Sequence, residues 1–217
     1  AYVKDEYGVD PVYEAQAGEK ETDFRSYLLK AKATNPDALV CSGLVDETVR
    51  CLVQSYEVGI PKSVARVANS VASKVEVPTN AGKAAVGVSY AAAFAASDTR
   101  PIAKKFVKHI KSTYGVVPGH DFSQMEDLLT MLKPALEKAE KGFSGDLASD
   151  RKAVRDSIAG ITNFTGLASG PISFCAAGSP ECRDGNRTPV MIEYTKGGKN
   201  WKTKVAGTVT FNASAGL

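Results

Sequence analysis

The sequence predicts an α/β fold in which a parallel sheet is flanked by helices. The main observation is a strand–helix–strand unit within residues 38–70. Residues 38–41 form a short apolar run, which is typical of a strand buried on both faces. A helical pattern and a second short strand follow, and strands joined by a crossover helix pair in parallel. Further helical patterns alternate with short apolar runs along the chain.

The helix of this unit has clear start and stop signals. Asp46 is expected to cap its start, and Gly59 to end it. The second strand is expected at residues 64–67. The apolar positions that support the helix, at i, i+3, i+4 and i+7, are Val49, Leu52, Val53 and Tyr56.

The predicted ligand site lies in the two loops that follow these strands, because open α/β sheets bind ligands beyond the carboxyl ends of their strands. The candidate ligand-binding residues are Ser42, Gly43, Leu44 and Val45 after the first strand, and Asn69 and Ser70 after the second.

Shorter patterns surround this unit. Residues 4–8 are similar to the tail of a helix, and residues 10–14 to a strand. Thr22 or Asp23 is expected to cap a helix that carries Phe24 and Leu28 on one face. A short helix or turn is expected at residues 73–77 and a strand at residues 85–89.

The second half of the chain predicts three longer helices and then short strands. Pro101 suits the first turn of a helix that Gly115 ends. A second helix over residues 123–141 should kink at Pro134, and a third covers residues 150–160. The inward positions expected for the second helix are Met125, Leu128, Leu129, Leu132, Leu136 and Ala139. The strands are expected at residues 172–175, 190–194 and 205–211.

Composition excludes several classes of protein. The 27 Lys and Arg residues nearly balance 24 Asp and Glu residues, and no polybasic tract is present, so we expect no nucleic-acid partner. No apolar run approaches the roughly 20 residues of a membrane span. The 217 residues, 43% of them hydrophobic, suffice for one large domain or two small ones.

The four cysteines fall into two pairs. Cys175 and Cys182 flank a turn-forming segment that can bring its ends together, which favours a disulfide over two free thiols. Such a disulfide would indicate an extracytoplasmic location. Cys41 and Cys51 are interpreted as buried small hydrophobic residues. Zinc is not expected, because no second pair stands at ligand spacing.

Motifs for catalysis are weak, and none indicates a cofactor. His109 lies on a Lys-rich helix face and His120 follows a Pro-Gly turn, so both are interpreted as surface or capping residues. No Gly-x-Ser-x-Gly elbow, phosphate loop or dinucleotide fingerprint is present. Adjacent acids such as Glu126 and Asp127 point in different directions on a helix, which disfavours shared acid–base chemistry.

A set of short motifs nevertheless occurs in a specific order over residues 10–198. They include the helix start at residues 17–24 (AGEKETDF), the Asn-Pro-Asp at residues 35–37, the helix end at residues 56–60 (YEVGI) and the segment at residues 166–172 (GLASGPI). In order and spacing they resemble the type I periplasmic binding proteins, and more narrowly the branched-chain amino-acid-type solute-binding subunits of ABC transporters.

This resemblance implies two α/β lobes that close on a small ligand, and it covers only the C-terminal part of the family. Residues 1–93 would form the second lobe without its first strand. Residues 94–187 would form the returning part of the first lobe, and residues 188–217 the crossover back and the C-terminal tail. The implied function is capture of a small amino acid or an aliphatic or aromatic carboxylate by hinge closure. The implied partner is a membrane permease, in the periplasm or outside the cell after removal of a signal peptide.

The resemblance also bears on the ligand. In amino-acid binders of this family, an aromatic residue follows the first of these strands and an acid follows the next. Here those positions fall near Leu44 and Val45 and near Asn69 and Ser70. A buried ammonium needs a partner charge or several acceptors, so an α-amino acid is disfavoured unless an acid arrives from elsewhere. Glu126 stands where the family often has tyrosine and is either a helix-surface acid or a cleft-edge residue.

Two alternative functions remain. One is a ligand-sensing receptor ectodomain of the same fold, which glycosylation acceptors at Asn163, Asn186 and Asn212 would suit if they are not chance matches. The other is an α/β enzyme whose active site lies in the part of the family that has no counterpart here.

Overall fold

The structure is a computed structural model that describes Lys4 and residues 8–18, 20–168, 171–174 and 189–208. The chain divides into two compact units. Unit 1 comprises Ala1–Tyr90 and Glu193–Thr203, and unit 2 comprises Ala91–Ile192 and Lys204–Leu217.

The helices and strands alternate in the first part of the chain and separate in the second. The first part contains α1 (Arg25–Ala33), β1 (Ala38–Cys41), α2 (Val45–Glu57), β2 (Ala65–Ala68), α3 (Glu76–Ala81) and β3 (Val88–Ala92). The second contains α4 (Pro101–Tyr114), α5 (His120–Glu140), α6 (Leu147–Ala159), β4 (Val190–Lys196) and β5 (Lys202–Thr208). Short 3-10 turns cover Ser70–Ser73 and Gly82–Ala85.

The five strands form one sheet in the order β1-β2-β3-β4-β5. β1 pairs with β2 and β2 with β3, both in parallel. Five residues join β4 to β5, too few for a crossover, so these two strands are antiparallel. The predicted α/β class is confirmed, and the sheet is mixed.

β1 has the predicted bounds, but the expectation that both of its faces are buried is wrong. Val40 is 66% exposed, whereas Cys41 is 1% exposed. The difference arises because successive residues of β1 point to opposite faces of the sheet, and the face that carries Ala38 and Val40 is open to solvent. Its inward residue Leu39 packs against a core formed by Phe24, Leu28, Ile60 and Val64.

Several helix starts differ from the predicted ones. α2 begins at Val45 with Leu44 at the N-cap, so Asp46 lies in the first turn and does not cap it. Phe24 occupies the N-cap of α1 without a side-chain hydrogen bond, so neither Thr22 nor Asp23 is its cap. α6 begins at Leu147, where the Asp146 side chain accepts a hydrogen bond from the Ser149 amide (2.9 Å).

α5 buries a face that shares only Ala139 with the predicted one. Met125, Leu128, Leu129 and Leu136 are each more than 40% exposed. The buried residues recur every four positions and are Ser123, Asp127, Met131, Ala135 and Ala139. Alanines at this spacing let α6 approach closely, and Ser157 Oγ of α6 donates to the Ala135 carbonyl oxygen (2.7 Å). The helix remains continuous across Pro134.

Two other predicted strands are shorter or not formed. Residues 10–14 contain no strand, and the strand expected at residues 172–175 reduces to one bridge between Phe164 and Ile172 within the described residues. The predicted Cys175–Cys182 disulfide lies outside the described residues. Within them, no helix is long and apolar enough to cross a lipid bilayer.

Candidate functional site

The pairing of β1 with β2 places the two predicted ligand loops side by side in unit 1. Cys41 and Ala68, the last residues of the two strands, are partners in the register. The loops that follow therefore begin at neighbouring points on one edge of the sheet. Ser42, Leu44 and Ser70 are exposed, whereas Gly43, Val45 and Asn69 are half-buried.

Gly43 is the point at which the two loops meet. Its carbonyl oxygen accepts hydrogen bonds from Asn69 Nδ2 (3.0 Å) and, more weakly, from Thr48 Oγ1 (3.4 Å). A Cβ atom added at Gly43 would lie 2.7 Å from the Cβ of Glu47. Only glycine therefore lets the loop come this close to the first turn of α2.

Three buried polar atoms in unit 1 have no hydrogen-bond partner among the described residues: Glu47 Oε2, Asn69 Oδ1 and Ser73 Oγ. An unpaired buried acceptor costs about 1–3 kcal/mol, so such atoms point to a ligand or an ordered water. Asn69 was predicted to belong to the site, but Glu47 and Ser73 were not.

Glu47 extends the candidate site. It lies in the first turn of α2, directly after the loop, and its side-chain stem packs beside Gly43. Glu47 was not singled out from the sequence. The signal that could have identified it is its place: an acid three residues after the N-cap, next to a glycine at a strand end.

Cys41 and Cys51 form a disulfide, so their interpretation as separate buried small residues is wrong. Cys41 ends β1 and Cys51 lies in the second turn of α2, which the short loop brings back over the strand end. Their Cα atoms are 5.9 Å apart, within the usual range for a disulfide. The bond encloses the loop that carries Ser42, Gly43, Leu44 and Val45.

The acceptor atoms of this site suit a ligand that carries hydrogen-bond donors. Glu47 Oε2 and Asn69 Oδ1 can accept from an ammonium, an amide or a hydroxyl. The start of α2 has no side-chain cap, so its first amides are also open to an anionic group. No cluster of three or more His, Cys, Asp or Glu side chains within the described ranges could hold a metal ion.

Unit 2 contains a second fixed loop at residues 166–168. Asp127, 3% exposed, accepts the amides of Leu167 (2.6 Å) and Ala168 (2.8 Å). The Arg100 guanidinium donates to the carbonyl oxygens of the same three residues, and Asp98 holds the guanidinium from its other side (2.7 Å). A Cβ atom at Gly166 would overlap Asp127 Oδ1, so the loop passes close to this carboxylate.

The other residues considered for function are dispersed in unit 2. Glu126 and His109 are exposed on α5 and α4, and Asn163 is exposed in a loop. His120 Nε2 lies 2.6 Å from Asp121 Oδ1 at the start of α5.

Comparison with known proteins identifies the class. A family model described as "periplasmic binding protein" matches residues 2–183, which is most of the chain. The chain therefore belongs to the periplasmic binding protein family, as its motifs predicted.

Solved structures agree with this assignment at the level of the fold. The leucine-binding protein LivK from Thermotoga maritima is 24% identical with a TM-score of 0.71, over 89% of this chain and 50% of that one. The isoleucine complex of LivJ from Streptococcus pneumoniae is 22% identical with a TM-score of 0.71, over the same shares. A benzoate-bound solute-binding protein from R. palustris is 18% identical with a TM-score of 0.70, over 91% and 51%.

The chain spans about half the length of the solved structures that it matches. The search of curated proteins found no match to this sequence.

Proposed function

We propose that this chain is part of an extracytoplasmic solute-binding protein of an ABC importer. The ligand is a small amino acid or a carboxylate-bearing metabolite, and the residues around Gly43 and Asn69 contact it. The observation that carries this function is the meeting of two strand-end loops around buried acceptors that find no partner in the described part of the chain. Relatives described as binding leucine, isoleucine or benzoate support the same class of ligand.

Several features of the proposal come from the family. They are the membrane permease as partner, the location outside the cytoplasm and a binding role in place of an enzymatic one. The division of residues 1–93, 94–187 and 188–217 between two lobes that close on the ligand has the same origin. The Cys41–Cys51 disulfide supports the location, because such bonds persist in oxidising compartments.

Glu47 changes the expected ligand. Without an acid at Asn69 and Ser70, the sequence favours a carboxylate that lacks an amine. Glu47 Oε2 is buried, unpaired and next to the same loop, so it can supply the charge that an ammonium needs. An amino acid is therefore as well supported as a simple carboxylate, and the two can be separated by experiment.

The test uses ligands that differ only in the amino group. We would titrate the purified chain with L-leucine and 4-methylpentanoate, and with L-phenylalanine and benzoate, by isothermal titration calorimetry. Binding of at least one probe, recovered unchanged afterwards, is the expected result. A panel without any binder, or chemical conversion of the probes, would contradict the proposed function.

Glu47→Gln tests the role of the carboxylate, with Asp46→Asn as the matched control on the exposed side of the same turn. If the amine-bearing probe of a pair binds better, Glu47→Gln should lower the affinity for that probe by about 10–100-fold, because a hydrogen bond to a charged group contributes about 1.5–3 kcal/mol. Asp46→Asn should leave the affinity within about 2-fold. Equal losses in both variants would show that Glu47 makes no specific contact.

A further inference from the structure

The Cys41–Cys51 disulfide encloses most of the candidate ligand site. The two cysteines are 10 residues apart, and four of the six predicted ligand residues lie between them. Glu47, whose carboxylate oxygen is buried without a partner, also lies inside this covalent ring. Of the six predicted ligand residues, only Asn69 and Ser70 lie outside the ring.

Within the ring, few other interactions fix the loop. The Thr48 amide donates to the Leu44 carbonyl oxygen (2.9 Å), which is the first hydrogen bond of α2. The Gly43 carbonyl oxygen is held across to Asn69. Leu44 is 73% exposed and cannot cap the helix with its side chain. A helix start without a cap frays readily.

The disulfide supplies a third anchor at the right place. Cys41 is 1% exposed at the end of a hydrogen-bonded strand, so one end of the bond is fixed by the sheet. Cys51 lies one and a half turns into α2, so the other end fixes the rotation and position of that helix. Glu47 lies between the two cysteines in sequence and moves with α2 as one rigid body.

We propose that the Cys41–Cys51 disulfide is a positioning element of the ligand site. It holds the start of α2 against the end of β1 so that Gly43, Glu47 and Asn69 keep their mutual geometry in the unliganded protein. This role rests on the proposed function, because positioning has a purpose only if these residues bind a ligand. Loss of the disulfide should loosen the loop locally and lower the affinity for the ligand.

The test compares the double variant Cys41→Ala/Cys51→Ala with Leu28→Ala. Leu28 lies in α1, in the core against which Cys51 also packs, so its truncation lowers the stability of the same unit while the disulfide stays intact. Variants are preferable to a reductant, which would also reduce the predicted Cys175–Cys182 disulfide. We would measure amide hydrogen exchange of peptides covering residues 42–50, and the affinity for L-leucine and benzoate.

The expected result is exchange of the 42–50 peptides about 10-fold faster in the double alanine variant than in Leu28→Ala, at matched global stability. The affinity for whichever probe binds should fall about 10-fold in the double variant and less than about 2-fold in the control. Equal exchange in the two variants, or faster exchange with unchanged affinity, would overturn the positioning role. If neither probe binds, the proposed function fails on its own, and the exchange rates alone decide whether the disulfide fixes the loop.

Discussion

The two units fix their loops in different ways. In unit 1, the loop that begins at Ser42 is held by a disulfide and by side-chain hydrogen bonds from Asn69 and, more weakly, Thr48 to the Gly43 carbonyl oxygen. In unit 2, the charged side chains of Arg100 and Asp127 hold the loop at residues 166–168 from its carbonyl and amide sides. One loop is tied covalently and the other by electrostatics.

The difference lies in what each arrangement leaves unpaired. Both oxygens of Asp127 accept an amide, so this clamp is complete and structural. Around Gly43, by contrast, Glu47 Oε2 and Asn69 Oδ1 are buried with no partner among the described residues. A covalent tie fixes the backbone without using polar groups, and the free acceptors remain available to a ligand. This contrast separates a loop that maintains the fold from one that is suited to binding.

The largest expected effect is the loss of the charged clamp in unit 2. Asp127→Ala should lower the free energy of unfolding by about 3–6 kcal/mol, because two hydrogen bonds to a buried carboxylate are lost and two amides are left unpaired. Glu126→Ala is the control. Glu126 is the neighbour of Asp127 in sequence, but its carboxylate is exposed, so its removal should change the free energy of unfolding by less than about 0.5 kcal/mol. Urea unfolding of both variants measures the difference, and similar shifts would show that the clamp is not structural.

Alkaline pH should act on unit 1, where two tyrosines are buried. Burial raises the pKa of Tyr90 from 10.0 to about 12, and it also raises the pKa of Tyr194, whose hydroxyl donates to the Ala72 carbonyl oxygen. The folded state thus keeps protons that the unfolded chain releases above pH ~10. The stability that Tyr90 contributes is complete below pH ~10 and falls by up to about 3 kcal/mol as the pH rises to ~12.

Urea unfolding across this pH range measures that loss. Tyr90→Phe should remove its own part of the decline, whereas Tyr114→Phe, at an exposed tyrosine of unit 2, should not. An equally steep decline in the wild type and in Tyr90→Phe would show that the Tyr90 hydroxyl does not titrate in this way.

Local sequence patterns predicted most of the fold. β1 has the predicted bounds, and α4 begins at Pro101 and ends at the left-handed Gly115, because periodicity and end signals act over a few residues. The exposed face of α5 could not be predicted in this way. Its leucines are at helical spacing, but which side is buried depends on α6 and on the loop bound to Asp127.

The sequence located the two candidate loops but did not identify every polar residue beside them, and their role in binding a ligand stays a prediction. That the loops after β1 and β2 begin side by side is a consequence of the topology. The roles of Cys51 and Glu47 depend on how α2 folds back over the strand end, which the sequence does not encode locally. Gly43 determines that approach, yet the sequence marked it only as a candidate ligand residue and not as the point where the loop meets α2.

The smallest expected effect lies at the start of α2 and tests the contrast between a structural loop and a binding loop. Leu44 has the extended backbone of an N-cap (φ −73°, ψ −175°) but no capping side chain, whereas Asp146 caps α6. Leu44→Ser should stabilise the protein by about 0.5–1 kcal/mol relative to Leu44→Ala, which removes the same leucine without adding a hydroxyl.

The same change should weaken ligand binding. With serine at the N-cap, Glu47 occupies the third helical position of a capping box, where its carboxylate bonds back to the N-cap amide. The acceptor that is free in the present structure would then be paired within the protein and withdrawn from the ligand. We expect Leu44→Ser to unfold at higher urea than Leu44→Ala and to bind an amine-bearing ligand about 5–10-fold more weakly. Equal affinities with the expected gain in stability would mean that the unpaired oxygen of Glu47 is met by water, and that the ligand contacts the loop elsewhere.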